Sequence, residues 1–379
     1  MQIALVRDRR TLSNIAIIVA VLWLLGYSIY AARDPLPVVH FPPPVSGPNA
    51  AAGYATAGRL IKSQPELAQI APYSVRRRIR SLSATWARKE ELVAANAPAL
   101  AELRKAQELP YRISESEEYP ELGRLFNLSY LLRLAVSVDL HRGETEKALT
   151  DALSAVRLGL DQESASGLYG SFGTGVLTSA GLAALRDAMQ SASPSQALGA
   201  TRSLYALANT RPPLPTMLEA VKWRQAREVL AVMRKPTWYR EVASTASTGF
   251  AAGTWTGGYP LRKESMDEYL AAMDLCIAES RKPFRAGTPK TLNYRGFLAP
   301  LLVPNCSATI TADAGARARL ARAVTTAALL TWQKQHGRMP DSLHALVPSV
   351  IPALPFDPLS STGEPVLQKK GKDVSVADH

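Results

Sequence analysis

Acid, base and nucleophilic chemistry needs side chains that can move a proton or an electron pair, and this chain offers few at workable spacing. It has five histidines, one of them the final residue, His379. The run Glu115, Glu117, Glu118 and Glu121 places carboxylates close enough to share acid/base work. Without an aromatic platform to hold a sugar, such a run reads first as a solvated loop. Glu117, Asp139 or His141 is the acid/base group that a hydrolase-like enzyme built on this chain would use. The sequence contains no Gly-x-Ser-x-Gly elbow, no His-Glu-x-x-His pair and no phosphate loop. A non-catalytic scaffold is therefore the first reading, with an enzyme as the alternative.

Cys276 and Cys306 are the only cysteines. Outside the cytoplasm they can pair, closing a loop of about 30 residues and stabilising by roughly 3–4 kcal/mol. Two buried thiols acting as small apolar side chains are the other reading, and both stay open. A zinc site is not expected, because the paired C-x-x-C spacing is missing and His336 and His344 do not share a helical turn. Neither a cofactor nor a metal is expected.

The elements that would position any site begin with residues 11–32, which carry no charge and follow Arg7, Arg9 and Arg10. A helix over this stretch rises about 33 Å, enough to cross a hydrocarbon core of about 30 Å. A cleaved signal has a shorter apolar region and a small-x-small cleavage site, whereas Ile29 or Tyr30 occupies the first small slot here. The segment is read as an uncleaved transmembrane helix. Basic residues before it and the balanced Arg33/Asp34 pair after it keep residues 1–10 in the cytoplasm and the body outside.

The formal charge of +12 raises nucleic acid as a partner. Scattered arginines, an extracytoplasmic address and the lack of an aromatic-interleaved basic strip argue against it. The one dense cluster, Arg76, Arg77, Arg78 and Arg80, can meet an anionic lipid surface at about 1 kcal/mol per residue, or it is simply a solvated helix face.

Residues 33–49 are rich in proline and predict an extended linker, a stalk. A helical domain is expected over 50–310. Trp86, Leu92, Val93, Ala97, Leu100, Leu103 and Ala106 predict one amphipathic helix. Leu122, Leu125, Leu128, Leu132 and Ala135, then a turn at residues 141–144, then Ala148, Ala152, Ala155 and Leu158 predict an antiparallel helix pair. The second of these looks like half of a tetratricopeptide unit, but no fixed period recurs. A second uncharged window, 164–185, is interrupted by five glycines and reads as a buried, closely packed helix and not as a span. Further helices are expected over 196–208, 216–233 and 270–277, with a long Gly/Ser/Thr-rich loop at 244–260.

A strong helix over 314–334 should stop at a Gly337 cap. Then come Gly337-Arg338-Met339-Pro340, Leu343-His344-Ala345-Leu346-Val347 and Pro355-Phe356-Asp357-Pro358. Asp341 can cap a short helix from Ser342, and Asp357-Pro358 favours a turn into a strand near Val366 and Leu367. The segment 337–367 resembles the one that follows the long helix of type II secretion major pseudopilins. A pseudopilin, however, runs its membrane helix directly into this motif. The whole arrangement looks more like a group of bacterial membrane-anchored envelope proteins sharing the motif, which implies location and architecture but no activity. The pseudopilin resemblance also allows calcium at the motif aspartate, although one Asp is a weak cage.

The expectation is thus an all-α protein with an N-terminal transmembrane helix, an irregular helical body over 50–310, a long helix plus motif over 311–368 with a small turn and strand pair, and a disordered tail over 369–379. It would sit in a bacterial inner membrane by one span, with its body in the periplasm. Its partner there would be another protein, bound through a concave face or the long loop.

Overall fold

A computed structural model describes residues 14, 16–26, 28–29, 34–43, 47–70, 84–112, 122–166, 171–245, 260–284, 292–370 and 373–376. The expected span is described only in part. Residues 16–26 are helical with every side chain exposed, and among the described residues no helix is long and apolar enough to cross a membrane. The basic cluster 76–80, the acidic run 115–121 and nearly all of the 244–260 loop lie outside the described residues.

Among the described residues the chain is all-helical apart from one hairpin, and it divides into two compact units. The larger unit opens with α1 (Ala50–Leu60), α2 (Gln64–Ile70), α3 (Trp86–Ala95) and α4 (Ala97–Gln107). One amphipathic helix was expected over the last two. Instead the chain breaks at Asn96, because Pro98 in the next turn has no N–H to donate. Asn96 is fully buried and uses the break: its Oδ1 accepts the Lys62 N–H at 2.7 Å, and its Nδ2 donates to the Leu92 carbonyl at 2.8 Å.

The antiparallel pair follows as α5 (Leu122–His141) and α6 (Thr145–Ser166). Gly143 takes φ +76° in the turn between them, a conformation that only glycine adopts without strain. Leu125, Leu128, Leu132, Ala148, Ala152, Ala155 and Leu158 are all fully or nearly fully buried. α7 (Ser171–Ser191) then packs antiparallel along α6 more extensively than any other helix pair. The glycines explain how. A Cβ on Gly159 would stand 2.5 Å from the Thr178 amide nitrogen, and one on Gly181 would stand 2.6 Å from that of Val156. Both glycines are needed for the two backbones to come so close.

α8 (Pro194–Thr210) starts on a capping box, with the Gln196 N–H on Ser193 Oγ at 3.3 Å and the Ser193 N–H on Gln196 Oε1 at 3.0 Å. α9 (Leu214–Met233), α10 (Trp238–Thr245) and α11 (Arg262–Ser280) follow, then the one-turn α12 (Ala299–Leu302) and the long α13 (Cys306–His336). α13 begins eight residues earlier than expected because Asn305 caps it, accepting the Ala308 N–H at 3.1 Å. It ends at Gly337, φ +68°, whose N–H reaches the Gln333 carbonyl at 2.8 Å.

The short 3-10 helix Leu343–Leu346 docks on α13 through the buried Leu343 and Leu346. Its cap residue is Ser342, with no side-chain bond, so the expected Asp341 cap is not made. β1 (Leu367–Lys370) and β2 (Asp373–Val376) pair antiparallel with Leu367 opposite Val376. Residues 369–370 and 373–376, expected to trail off, belong to this hairpin.

The smaller unit comprises 1–42, 222–276 and 292–304. Its core holds Trp238, fully buried, with Phe297 edge-on at 5.5 Å, and Tyr269, whose hydroxyl donates to the Lys222 carbonyl at 3.1 Å. The proline-rich stretch 34–43 has no regular structure but does not stand off as a stalk. Asp34 Oδ2 accepts the Arg262 N–H at 2.8 Å, the Arg262 guanidinium donates to the Asp34 carbonyl at 2.9 Å, and Phe41 packs edge-on against Trp223.

Candidate functional site

Ionisable groups inside the larger unit fall mostly into closed networks. Asp139 is fully buried and takes Lys147 Nζ at 2.6 Å. His141, another candidate acid/base group, stacks on Trp86 with centroids 3.9 Å apart. Asp151, also fully buried, holds Arg104 at 2.7 Å, and its carboxyl is pushed up by burial first, against the pull of Arg104. Asp139 Oδ2 and Asp151 Oδ2 are each buried without a hydrogen-bond partner. Glu117 lies outside the described residues.

Asp161 accepts the Tyr54 hydroxyl at 2.5 Å, with Arg157 Nε at 3.7 Å. Burial pushes its carboxyl up to about 6, opposed by the Tyr54 bond and by Arg157. Burial first, then Asp161 itself, raises the Tyr54 phenol well above its ordinary range. At the far end of α6, Glu163 receives the Thr178 hydroxyl at 2.6 Å and faces Arg211 Nε at 3.4 Å. Arg211 also pairs with Asp313, which Arg317 holds from its other oxygen at 2.8 Å. These side chains tie α6, α7, α8 and α13 together.

One concavity differs in kind. A trough of about 420 Å³ runs between α7 and α13. Lys334 Nζ donates to the Gln190 and Ala192 carbonyls at 2.9 and 2.8 Å, while the Arg319 guanidinium lies against Gly175, so the two helices run parallel. Leu204 of α8, 1 % exposed, forms the floor with Leu185 and Met189, and Val376 of β2 lines the trough as well.

One wall is the α13 stripe Arg319, Arg322, Ala323, Thr326, Ala327 and Leu330; the other is the α7 stripe Ser179, Leu182, Ala183, Arg186 and Met189. Both follow the three- and four-residue steps of a single helix face. The α13 stripe is about 17 Å long at 1.5 Å per residue. Three arginines edge the trough, and no acid is among the described residues lining it. Arg186 meets Asp187 only at 3.9 Å, with both side chains more than 60 % exposed.

The sequence reading passed over these residues. Its available signal was the repetition of small and apolar residues beside arginines at helical spacing on two separate helices. A second cavity of about 500 Å³, in the smaller unit, is lined by Asp34, Glu264, Asp267, Glu268 and Lys263. Glu268 is raised there by burial and by Glu264.

The remaining sequence-predicted positions have structural surroundings. Cys276 and Cys306 are buried thiols. Gly337 caps α13, and Pro340, Leu343 and Leu346 are buried beneath the motif. Pro355 and Pro358 are half-buried on either side of the fully buried Asp357. Asp357 Oδ1 accepts the Leu359 N–H at 2.9 Å, and the Asp357 N–H reaches the Gly363 carbonyl at 2.9 Å, which fixes the turn. Asp357 Oδ2 is buried without a hydrogen-bond partner. No group of three or more His, Cys, Asp or Glu able to hold a metal occurs among the described residues.

Comparison with protein-family models, with curated proteins and with solved structures gives no match for this chain.

Proposed function

We propose that this chain is a single-pass, membrane-anchored scaffold of the bacterial envelope, with a periplasmic body that binds a protein partner in the trough between α7 and α13. The observation that carries the anchor is the exposure of residues 16–26. Ile17, Ile18, Val19, Val21, Leu22, Trp23, Leu24 and Leu25 are each 47–63 % exposed, so this helix is apolar on every side. Apolar surface on that scale needs a cover, and lipid supplies one without a complementary protein face. The uncharged run continues through 11–32, and Arg7, Arg9 and Arg10 set its direction. The likeness of 337–367 to the pseudopilin segment fits the same address.

Binding is favoured over catalysis because the trough is apolar and shaped by two helix faces. Of the candidate acid/base groups, Asp139 is held by Lys147 and His141 stacks on Trp86. Protease added to intact spheroplasts tests the topology: the body should be digested and the anchor spared. Full protection until lysis would place the body in the cytoplasm and remove this reading.

A further inference from the structure

We infer that the proline-rich strap 34–42 lies along the outer interface of the bilayer, with Leu36 and Val38 set into the boundary between headgroups and acyl chains. This rests on the anchor proposed above and names what the segment after it touches. The uncharged run ends at residue 32, and a helix over it already spans a hydrocarbon core of about 30 Å. Asp34 comes two residues later, at most about 7 Å of extended chain. The headgroup layer on each side is itself about 5–8 Å thick, so Asp34 lies within it or at its edge.

The Asp34 side chain is nonetheless only 2 % exposed, because the smaller unit covers it. The Arg262 N–H reaches its Oδ2 at 2.8 Å, and the Arg262 guanidinium donates both to the Asp34 carbonyl at 2.9 Å and to the Met233 carbonyl at 2.8 Å. The smaller unit therefore begins at headgroup level, with no free length between it and the anchor.

From Asp34 onward the strap presents two faces. Pro37 is buried and Val39 and Phe41 are half-buried, with Phe41 edge-on to Trp223 and the Arg227 guanidinium 4.4 Å from its ring centroid. Alternating with them, Leu36, Val38 and His40 are exposed, Leu36 by 46 % and Val38 by 84 %. One exposed apolar side chain is ordinary on a protein surface. Two on the outward row of a segment tethered at the headgroup layer have lipid within reach, and sinking them into it removes both from water. Two side chains fall far short of the roughly 800 Å² per partner that a stable protein interface buries, which disfavours a second copy of the chain as their cover.

The test uses the full chain, one copy per lipid nanodisc, with an environment-sensitive fluorophore on His40→Cys; Cys276 and Cys306 are buried and stay unlabelled. Phospholipids carrying a nitroxide at the headgroup end of the acyl chain should quench the dye at least about twofold. Leu36→Asp combined with Val38→Asp should remove most of that quenching, whereas Leu36→Ile combined with Val38→Ile, which keeps the row apolar, should preserve it. A dye on Val19→Cys, read with a nitroxide deep in the acyl chain, reports the anchor independently. Quenching at 19 with none at 40, or quenching at 40 that the aspartates leave unchanged, would overturn the inference and leave the anchor standing. Shielding of position 40 from aqueous iodide without nitroxide quenching would assign the strap a protein cover and overturn it as well. Absence of quenching at 19 would remove the anchor and the inference with it.

Discussion

Arg317 and Arg319 stand two residues apart on α13 and have opposite surroundings. Arg317 holds Asp313 at 2.8 Å and donates to the Pro212 carbonyl at 2.9 Å, next to Arg211, whose side chain is only 5 % exposed. Arg319 is exposed and edges an apolar trough with no acid among its described lining residues. A cation buried among carboxylates has its solvation replaced by the protein and serves the fold. A cation beside apolar surface keeps its solvation and can give it up to an incoming anion. Neighbouring residues of one type can therefore divide between structure and recognition according to what faces them.

The contrast breaks most readily at Arg211. Arg211→Ala leaves Glu163 and Asp313 with little solvent and should cost about 3–5 kcal/mol by chemical denaturation. A cost below about 1 kcal/mol would mean that the buried network does not hold the helices together.

Asp161 sharpens the point, because its nearest partner is a phenol and its carboxyl is raised to about 6. With the folded value above the ordinary 3.8, the stabilisation is complete below about pH 4 and is lost as pH rises through 6. The difference amounts to up to about 3 kcal/mol. Asp161→Asn should remove this loss, so the wild-type-minus-variant stability difference should fall by up to about 3 kcal/mol between about pH 4 and 7 in urea titrations. An unchanged pH dependence would show that Asp161 is already ionised at low pH in the folded protein.

Close packing gives the next effect. Gly159→Ala sets a methyl 2.5 Å from the Thr178 amide nitrogen and should cost about 1–3 kcal/mol of unfolding free energy. Gly199, which has open space around it, should accept alanine without loss. Equal behaviour of the two glycines would mean that α6 and α7 do not meet as closely as described.

Arg319→Ala should give the smallest change, within about 0.5 kcal/mol in stability. Its effect belongs to binding. A destabilisation comparable to that of Arg211→Ala would remove the distinction between the two arginines.

Much of the helical frame was legible along the chain. The pair α5 and α6 was readable because its leucines and alanines keep one face and Gly143 must turn between them, and Gly337 announced the end of α13. Local competition hid other features. Pro98 breaks a stripe whose apolar spacing runs straight through Asn96, and Asn305 starts α13 ahead of a Ser/Thr-rich turn with weak helical patterning. Tertiary pairing hid the rest. Asp34 meets Arg262 across 228 residues, which no local pattern of prolines can reveal. The trough is of the same kind, since its walls lie on helices more than a hundred residues apart and its arginines gain meaning only from the residues facing them.

The central claim, that the trough is a partner's seat, is tested most directly by a photocrosslinking residue placed in intact cells at Ala323 and, as a control, at the exposed Thr150 on α6. The account predicts one discrete protein adduct from position 323, lost when Arg319→Glu and Arg322→Glu are combined, and no such adduct from position 150. No adduct at 323, or the same adduct from both positions, would contradict it.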